Sequence, residues 1–570
     1  MNHTIRPTNC FLRFPRAALV LAACTAIAVA TPGEARKKPR AGKHATAVVA
    51  VARSILPASV LAGLQRAHVP ASSISVVVEK IGASVPAVAW NAERLMLPAS
   101  TIKLVTTYSG LSLLGPDYRY RTSAYADGTL DPTGTLHGNL YIKGTGDPKL
   151  VPEELIDLVN RIRRTGIVNI DGSLVLDKRF FASSTRDLPA FDEEIQAPYN
   201  VGPDPLLYAF KALSFTVTPT ESNNVAIDVL PPLANLSIDN EVSEAGGSCA
   251  MASAAARPRL STAAGGMLTA SFVGRFPPQC KPVTSNIAVL DHSQFFAQGF
   301  LALWRSKGGS FVGPIVDDKV PPTARPVAVH QGPVLSSIVY DINKHSNNVM
   351  ARNLFLSLGA IVGKPPATPE QSAQVIQSFL HKSGIAAPDL QLDNGSGLSR
   401  DEHVSARTLT ELLQVANASP VAQLFVKSLP IVGVDGTMAR RLTNQPVLGN
   451  AHIKTGTLHD VRAIAGYVAS VDGNSYVVVS FINDPRARAA RAAHDALLEW
   501  VYSGPRARPP SRAADSHATS YGARGQEAPQ PVAPALACPK RGCCINRARS
   551  VDVHAQRSRG QPLLSRQIPE

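Results

Sequence analysis

The sequence predicts an α/β (α+β) fold, with an antiparallel sheet covered by helices and a largely β region inserted into it. Three observations predict this class. Alternating apolar runs at 463–468 and 476–481 flank a turn at 472–474, which indicates an antiparallel hairpin. Apolar residues continue with helical spacing after Pro98. Short alternating runs broken by Gly, Pro and Asn recur between residues 119 and 329, as expected for half-buried strands.

The length and net charge of the chain limit the number of domains and the kinds of partner that it can have. A chain of 570 residues with 45% hydrophobic side chains predicts two to four domains. The net charge is +15, but residues 1–53 hold nine Lys or Arg and one Asp or Glu, and residues 504–570 hold eleven and four. Residues 54–503 therefore hold 37 of the 57 basic and 37 of the 42 acidic side chains. This neutral body argues against nucleic acid as a partner.

Residues 1–30 have the pattern of a secretory signal peptide. Three arginines precede an apolar segment at 17–30, which ends in the small residues 28–30. This predicts export to the periplasm. A retained membrane anchor is the weaker alternative, because the apolar segment is short. Residues 21–24 also fit a lipoprotein cleavage box, in which Cys24 would be lipidated and tie the protein to a membrane.

Two basic segments flank the body of the chain. Residues 31–53 are interpreted as a flexible linker. Residues 504–570 are rich in Pro, Arg, Ala and Ser without periodicity, so they predict a disordered tail. A translational frameshift is an alternative origin for that tail.

Two cysteines stand in the middle of the chain. Cys249 and Cys280 lie 31 residues apart in a region rich in Ala, Gly and Ser. Export would permit a disulfide between them, and two free thiols are the alternative. No metal site is predicted, because neither a histidine nor a third cysteine stands at ligand spacing. The others are Cys10, Cys24, Cys538, Cys543 and Cys544.

The segment around Ser100 has the features of a nucleophilic serine. Pro98 stands near the first position of the predicted helix, and the i, i+3 spacing puts Ser100 and Lys103 on one helix face. A lysine amine can take the serine proton when burial and a second cation disfavour its ammonium form. Lys454 is the predicted second cation. The segment therefore predicts acyl transfer, with Ser100 as nucleophile and Lys103 as general base.

A second segment, Lys454-Thr455-Gly456-Thr457, occupies the strand before the predicted hairpin. Gly456 and a free strand edge would let an extended peptide bind as one more strand. The backbone N–H groups of Ser100 and Thr457 would then hold the oxyanion of the attacked carbonyl. Lys454 and Thr455 would meet a terminal carboxylate of that peptide.

With a third motif these segments form a recognisable set. The set is Ser100-x-x-Lys103, Ser346-x-Asn348 and Lys454-Thr455-Gly456. It resembles the active-site motifs of the penicillin-binding proteins and serine β-lactamases. Ser346 follows Ser100 by 246 residues and Lys454 follows Ser346 by 108. This spacing resembles the penicillin-binding protein 4 (DacB-type) family of D-alanyl-D-alanine carboxypeptidases and endopeptidases. Further matching stretches are 141–148, 166–172, 199–204, 393–400 and 434–437.

The resemblance implies roles for further residues. Ser346 would relay a proton to the leaving amine, and Asn348 would hold the substrate amide. Arg400 would meet the carboxylate of the free stem-peptide side chain, and Asp192 its ammonium. The substrate would be the D-Ala-D-Ala end of a peptidoglycan stem peptide, with β-lactams as covalent inhibitors. No cofactor is implied, and homodimerisation stays open. His459-Asp460 departs from the small or amide residues expected after the third motif.

The motif positions also predict the domains. Residues 54–118 and 330–503 should form one penicillin-recognising catalytic domain, because the first motif must meet the other two. Residues 119–179 and 286–329 would form an inserted β-rich domain, and residues 180–285 a second insertion nested within it.

Three alternatives remain at this point. A serine β-lactamase would turn penicillin over rapidly, but the inserted region has no Glu-x-x-Leu-Asn segment to supply a deacylating base. A non-catalytic peptidoglycan-binding module would keep the fold without the reaction. Ser346 could also be only the cap of the helix that follows it.

Overall fold

The computed structural model describes most of the chain between the two basic segments. The predictions for the signal peptide (1–30), the linker (31–53) and all but the first two residues of the tail concern residues outside this part. In the described part, no helix combines the length and apolar character needed to cross a membrane. The described ranges are 55–186, 189–220 and 224–505.

Short strands recur along the described residues. In chain order they are β1 (Ile74–Lys80), β2 (Val88–Trp90), β3 (Arg119–Ala126), β4 (Thr129–Leu130), β5 (Thr135–His137), β6 (Leu140–Gly144), β7 (Asn169–Ile170), β8 (Leu174–Asp177), β9 (Ala212–Pro219), β10 (Val225–Leu230), β11 (Leu236–Glu244), β12 (Arg259–Thr262), β13 (Leu268–Phe276), β14 (Val283–Ala288), β15 (Ser310–Phe311), β16 (Ile315–Asp317), β17 (Arg325–Val334), β18 (Ala451–Leu458), β19 (Val461–Ala469) and β20 (Ser475–Asn483).

The helices concentrate in the two outer parts of this range. In chain order they are α1 (Ala58–Arg66), α2 (Lys103–Leu114), α3 (Pro152–Arg163), α4 (Cys249–Ala255), α5 (His292–Ser306), α6 (Leu335–His345), α7 (Asn348–Leu358), α8 (Pro369–Lys382), α9 (Ala406–Ala418), α10 (Ala422–Ser428) and α11 (Arg491–Tyr502).

The central sheet has the order β18-β19-β20-β1-β2, and each neighbouring pair is antiparallel. Both predicted apolar runs lie in its β19–β20 hairpin. The first and last strands of the described residues, β1 and β20, thus pair with each other, which brings segments from both ends of the described range into one sheet. This strand order leaves β18, which contains the third motif, at one edge of the sheet.

Both faces of the central sheet are buried, because its strands alternate between two cores. Val76 and Val78 pack with residues of α1 and α11 on one face. On the opposite face, Val77 packs in a core to which α2 and the helices α6 to α10 contribute. The result is a helix–sheet–helix arrangement in which α2, with the first motif, lies against the motif-bearing end of the sheet.

The inserted region forms its own sheets. The larger has the order β16-β8-β6-β3-β17, and a smaller one has the order β15-β7-β5-β4. Helices α3 and α5 contribute to the same apolar core. Strand β17 pairs with β3 as far as Val334, so the inserted sheet continues past residue 329, where the sequence placed its end. Helix α6 follows directly after β17.

A second, nested pair of sheets lies within the insertion. One has the order β10-β9-β14 and the other β11-β13-β12. A disulfide joins Cys249, at the start of α4, to Cys280. Strand β14 ends at Ala288, slightly beyond the expected limit of 285. The described residues between 180 and 211, which the sequence placed in the nested insertion, do not belong to these sheets. Three of them, Tyr199, Asn200 and Val201, contact α7 instead.

Candidate active site

The predicted nucleophile lies in a tight turn at the start of α2. The sequence predicted a helix beginning near Pro98, but residues Ala99–Ile102 form a 3₁₀ turn and the α-helix begins at Lys103. In a 3₁₀ turn, side chains three residues apart eclipse each other. This geometry puts the Nζ of Lys103 2.9 Å from the Oγ of Ser100.

Lys103 is completely buried and surrounded by acceptors. Its Nζ donates to the Oγ of Ser100, to the Oδ1 of Asn348 at 2.6 Å, and to the carbonyl oxygen of Ser396. Burial lowers the pKa of Lys103 well below its ordinary value, and the charge of Lys454 lowers it further. The amine therefore has the position of a general base for Ser100, and its lowered pKa favours the neutral form that can accept a proton.

Ser346 occupies the junction between α6 and α7 in a left-handed conformation, with φ of 54°. The hypothesis that it caps α7 is wrong, because the side chain of Asn347 accepts from the backbone N–H of Met350 at 3.0 Å and fills that role. The Oγ of Ser346 instead accepts from the Nζ of Lys454 at 2.7 Å. Such a backbone conformation is uncommon for a residue other than glycine and is often found at functional sites.

The third motif lies on β18, directly against the nucleophile turn. A Cβ atom on Gly456 would stand 2.8 Å from the carbonyl oxygen of Pro98, so only glycine lets the strand approach this closely. Lys454 is buried, whereas Thr455 and Thr457 are partly exposed on the same strand. The Oγ1 atoms of Thr455 and Thr437 are 2.8 Å apart. Strand β18 therefore presents a partly exposed edge beside Ser100.

The segment before β9 forms one wall of the site. The Nδ2 of Asn348 donates to the carbonyl oxygen of Tyr199 at 3.4 Å. Arg352, one turn further along α7, donates to the carbonyl oxygens of Asn200 and Val201 at 3.2 and 2.8 Å. Burial lowers the pKa of Arg352 to about 10. The first two turns of α7 thus hold residues 199–201 beside Ser100 and Lys103.

Arg400 and Asp192 lie on the rim, but they do not contact each other. The guanidinium of Arg400 lies over the ring of Phe191, at 5.3 Å from its centroid, and pairs with the carboxylate of Asp460. Asp192 accepts from the hydroxyl of Tyr199 at 2.9 Å and from Asn200 at 2.7 Å. The positive charge expected to meet a substrate carboxylate is therefore already paired within the protein.

Sequence reasoning missed several residues that shape the site. Ser396 and Gly397 belong to a stretch that supported the family resemblance but received no role. Gly397, with φ of 84°, packs against the turn so closely that a Cβ atom would lie 2.6 Å from the backbone nitrogen of Ser100. The carboxylate of Glu402 is buried beneath the same loop. The two glycines of the stretch were the available signal, because they mark tight backbone turns.

No metal site accompanies these groups. Across the described ranges, no group of three or more His, Cys, Asp or Glu side chains is arranged to hold an ion. The functional atoms that the structure does gather are one hydroxyl beside a buried amine, a second hydroxyl beside a second amine, and a strand edge. This set fits acyl transfer through a serine.

Comparison with known proteins decides the family. The model of the D-Ala-D-Ala carboxypeptidase 3 (S13) family matches residues 56–503. The chain belongs to this family. D-alanyl-D-alanine carboxypeptidase DacB of Haemophilus influenzae is 27% identical over 404 residues, which cover 69% of this chain and 82% of that protein. A D-alanyl-D-alanine carboxypeptidase of an Actinomadura species is 28% identical, with coverage of 70% and 76%.

Solved structures agree with the sequence matches. The crystal structure of penicillin binding protein 4 (dacB) from Haemophilus influenzae superposes with a TM-score of 0.64 at 25% identity, and the match covers 78% of this chain and 99% of that one. The predicted α/β fold and the predicted DacB-type family are confirmed. The S13 protein described here is thus a serine-type D-Ala-D-Ala carboxypeptidase, as the sequence indicated.

Proposed function

We propose that this S13 enzyme hydrolyses peptidoglycan stem peptides through an acyl-enzyme on Ser100, with Lys103 as the general base. The observation that carries the proposal is the 2.9 Å contact between the Oγ of Ser100 and the Nζ of a fully buried lysine. Once neutral, the amine can keep its two N–H bonds for Asn348 and Ser396 and turn its lone pair toward the Ser100 hydroxyl, whose proton it accepts as the oxygen attacks. The roles of the remaining residues follow from their positions around this pair.

Acylation begins with attack of the Ser100 oxygen on the carbonyl carbon of the penultimate D-alanine. Lys103 takes the hydroxyl proton, and the carbonyl oxygen gains the negative charge. The backbone N–H groups of Ser100 and Thr457 are assigned to hold that oxyanion, since the turn and β18 lie against each other through Gly456. Asn348, which already contacts Lys103, would orient the substrate amide.

Departure of the terminal D-alanine needs a proton on its nitrogen. Ser346 is assigned to donate it, because its hydroxyl lies beside Lys454 and opens into the same site. The proton that Lys103 took from Ser100 is passed on through Lys454 and replaces the one that Ser346 gives up. The carbon–nitrogen bond thus breaks with the Ser100 proton, in net terms, leaving on the D-alanine amine, while both lysines and Ser346 return to their starting protonation. Water then hydrolyses the ester and regenerates the Ser100 hydroxyl.

The substrate groove runs along β18. An extended stem peptide would pair with this edge strand, and Lys454 and Thr455 would receive its terminal carboxylate. Arg400 and Asp192, at the rim, are assigned to the stem-peptide side chain. The same residues would also cleave a cross-linked peptide as endopeptidase substrate. The amine that leaves from a cross-link needs one proton, just as the terminal D-alanine does.

Two extensions follow from the relatives and the N-terminus. A Haemophilus influenzae penicillin binding protein 4 has been solved in complex with a β-lactam, and we assign Ser100 as the residue that β-lactams acylate here. The periplasm is the proposed location, with the signal peptide removed. Lipidation at Cys24 would add a membrane attachment.

The direct test is release of D-alanine from a synthetic stem peptide ending in D-Ala-D-Ala. The protein should release the terminal D-alanine from this peptide and should not release the terminal L-alanine from a matched peptide ending in D-Ala-L-Ala. A cross-linked muropeptide measured in parallel compares the carboxypeptidase and endopeptidase activities. Rapid penicillin hydrolysis without peptide cleavage would overturn the proposal in favour of a β-lactamase, and no reaction with either would indicate a binding module.

A further inference from the structure

The carboxylate of Glu402 lies at the centre of a loop that touches the catalytic groups. Its Oε1 accepts backbone N–H groups of Asp393 at 3.4 Å, Asn394 at 3.1 Å and Gly395 at 2.6 Å. Its Oε2 accepts the N–H of Gly397 at 2.7 Å. One fully buried side chain therefore satisfies four backbone donors and fixes the path of the loop.

This loop makes three contacts with the catalytic turn and its helix. The carbonyl oxygen of Ser396 accepts from the Nζ of Lys103. The carbonyl of Gly395 accepts from the hydroxyl of Thr106, on the next turn of α2, at 2.7 Å. Gly397 packs against the backbone of the nucleophile turn. Movement of the loop would thus displace an acceptor of the general base and a wall of the nucleophile.

The four hydrogen bonds indicate that Glu402 is ionised. All four contacting groups are backbone N–H donors. A carboxylate can accept from all of them, whereas a carboxylic acid would direct its own proton at one of them. Burial raises the pKa of Glu402, and the charge of Asp393 adds to this, but the backbone N–H groups oppose both. The anion in turn raises the pKa of Lys103, against the lowering by burial and by Lys454 and Arg352.

We propose that Glu402 is a positioning residue for acylation, whose four backbone hydrogen bonds hold the loop against Ser100 and Lys103. Its buried charge also contributes to the pH at which Lys103 becomes a base. The proposal rests on the assignment of Lys103 as the base. A carboxylate is required for both parts, because four donors need an anion and Lys103 lies among other cations. A glutamine would keep one acceptor oxygen but place an N–H donor against at least one of these four N–H groups.

The test is the acylation rate by penicillin as a function of pH, for the wild-type protein and the E402Q and E402D variants. Neutral Lys103 is the active form, so the rate rises as pH passes through its pKa. E402Q removes a charge that raises this pKa, and its acid limb should move by about one pH unit toward lower pH. Its plateau should fall about tenfold or more, because the loop is displaced.

The E402D variant separates the effect of the charge from the effect of side-chain length. E402D keeps the charge but is one methylene shorter, so it should keep the wild-type acid limb while its plateau falls. The exposed Glu241 on β11 offers a matched control, and E241Q should change neither quantity. If E402Q fails to fold, the lower plateau of E402D remains a test of the positioning role.

Three outcomes would overturn the inference. An E402Q acid limb that stays in place would leave Glu402 with a purely structural role, and a limb that moves to higher pH would reverse the sign. An E402D plateau equal to that of the wild type would remove the positioning role. Failure of the wild-type protein to form a penicillin adduct on Ser100 would instead refute the proposed function, so the two failures are distinguishable in one series.

Discussion

The guanidinium of Arg400 donates to the carboxylate of Asp460 at 2.7 Å, which links the 393–402 loop to the turn after β18. Both side chains are partly exposed, at 47% and 36%, so the pair contributes little to stability and can open. In the role proposed for Arg400, a substrate carboxylate would compete with Asp460 for its guanidinium. Asp460 occupies the two-residue turn between β18 and β19, where the sequence departs from the family pattern.

Removing the competing charge should improve the binding of acidic substrates. The Asp460→Asn variant is expected to lower KM about two- to fivefold for a stem peptide whose diamino-acid side chain carries a free carboxylate. KM for the same peptide with that carboxylate amidated should stay unchanged. Steady-state kinetics on the two peptides measures this. Equal changes for both would contradict a role of Arg400 in carboxylate recognition.

The close approach of Gly397 to Ser100 gives a second prediction. Gly397→Ala should reduce penicillin acylation about a hundredfold, because the added Cβ displaces the nucleophile turn. Gly384 is a matched control, with φ of 83° and open space around a Cβ atom. Gly384→Ala should lower the unfolding temperature through backbone strain and leave the acylation rate intact. If both variants acylate at the wild-type rate, the loop does not constrain Ser100.

The hydroxyl of Ser346 should matter more for peptides than for β-lactams. Ser346→Ala removes the proposed proton donor for the leaving amine, and hydrolysis of the stem peptide should fall by about 10²–10⁴-fold. Penicillin acylation should fall less, because ring strain helps its carbon–nitrogen bond to break. Ser346→Gly is the control for the left-handed backbone, which glycine adopts readily. A Ser346→Gly enzyme with normal peptide hydrolysis would show that the relay lies elsewhere.

The disulfide should stabilise the nested sheets without serving the reaction. Replacing both Cys249 and Cys280 by serine opens a loop of 31 residues, which is expected to destabilise this region by about 3–4 kcal/mol. Thermal unfolding in the presence and absence of a reductant should show the same loss for the wild-type protein. Penicillin acylation at room temperature should remain unchanged. A parallel loss of acylation would mean that the nested region supports the catalytic domain directly.

The parts of the fold that the sequence predicted are those with a strong local pattern. The β19–β20 hairpin has alternating apolar residues and a turn, and the contact between Ser100 and Lys103 follows from their spacing alone. The limit of the insertion was less accurate, because β17 continues as a strand through residues whose partners lie on β3, some two hundred positions earlier. Pairing at that distance has no local signal.

Long-range polar contacts account for the remaining differences in the site. Asp460 was recognised as a departure from the family, but its pairing with Arg400 depends on how the β18–β19 turn meets the 393–402 loop. Glu402 looks like an ordinary surface residue between an aspartate and a histidine, and only the folded loop buries its carboxylate. The alternative in which Ser346 only caps α7 was one residue from the observed cap, Asn347, because serine and asparagine are both good capping residues.

The central claim is that Ser100 forms an acyl-enzyme with Lys103 as its base. The most direct measurement is the intact mass of the protein during incubation with penicillin, followed by digestion to locate the adduct, for the wild type, Ser100→Ala and Lys103→Met. The wild type should gain the mass of one penicillin on the peptide that contains Ser100, and neither variant should be labelled. Normal labelling of Lys103→Met, or an adduct on any other peptide, would contradict the account.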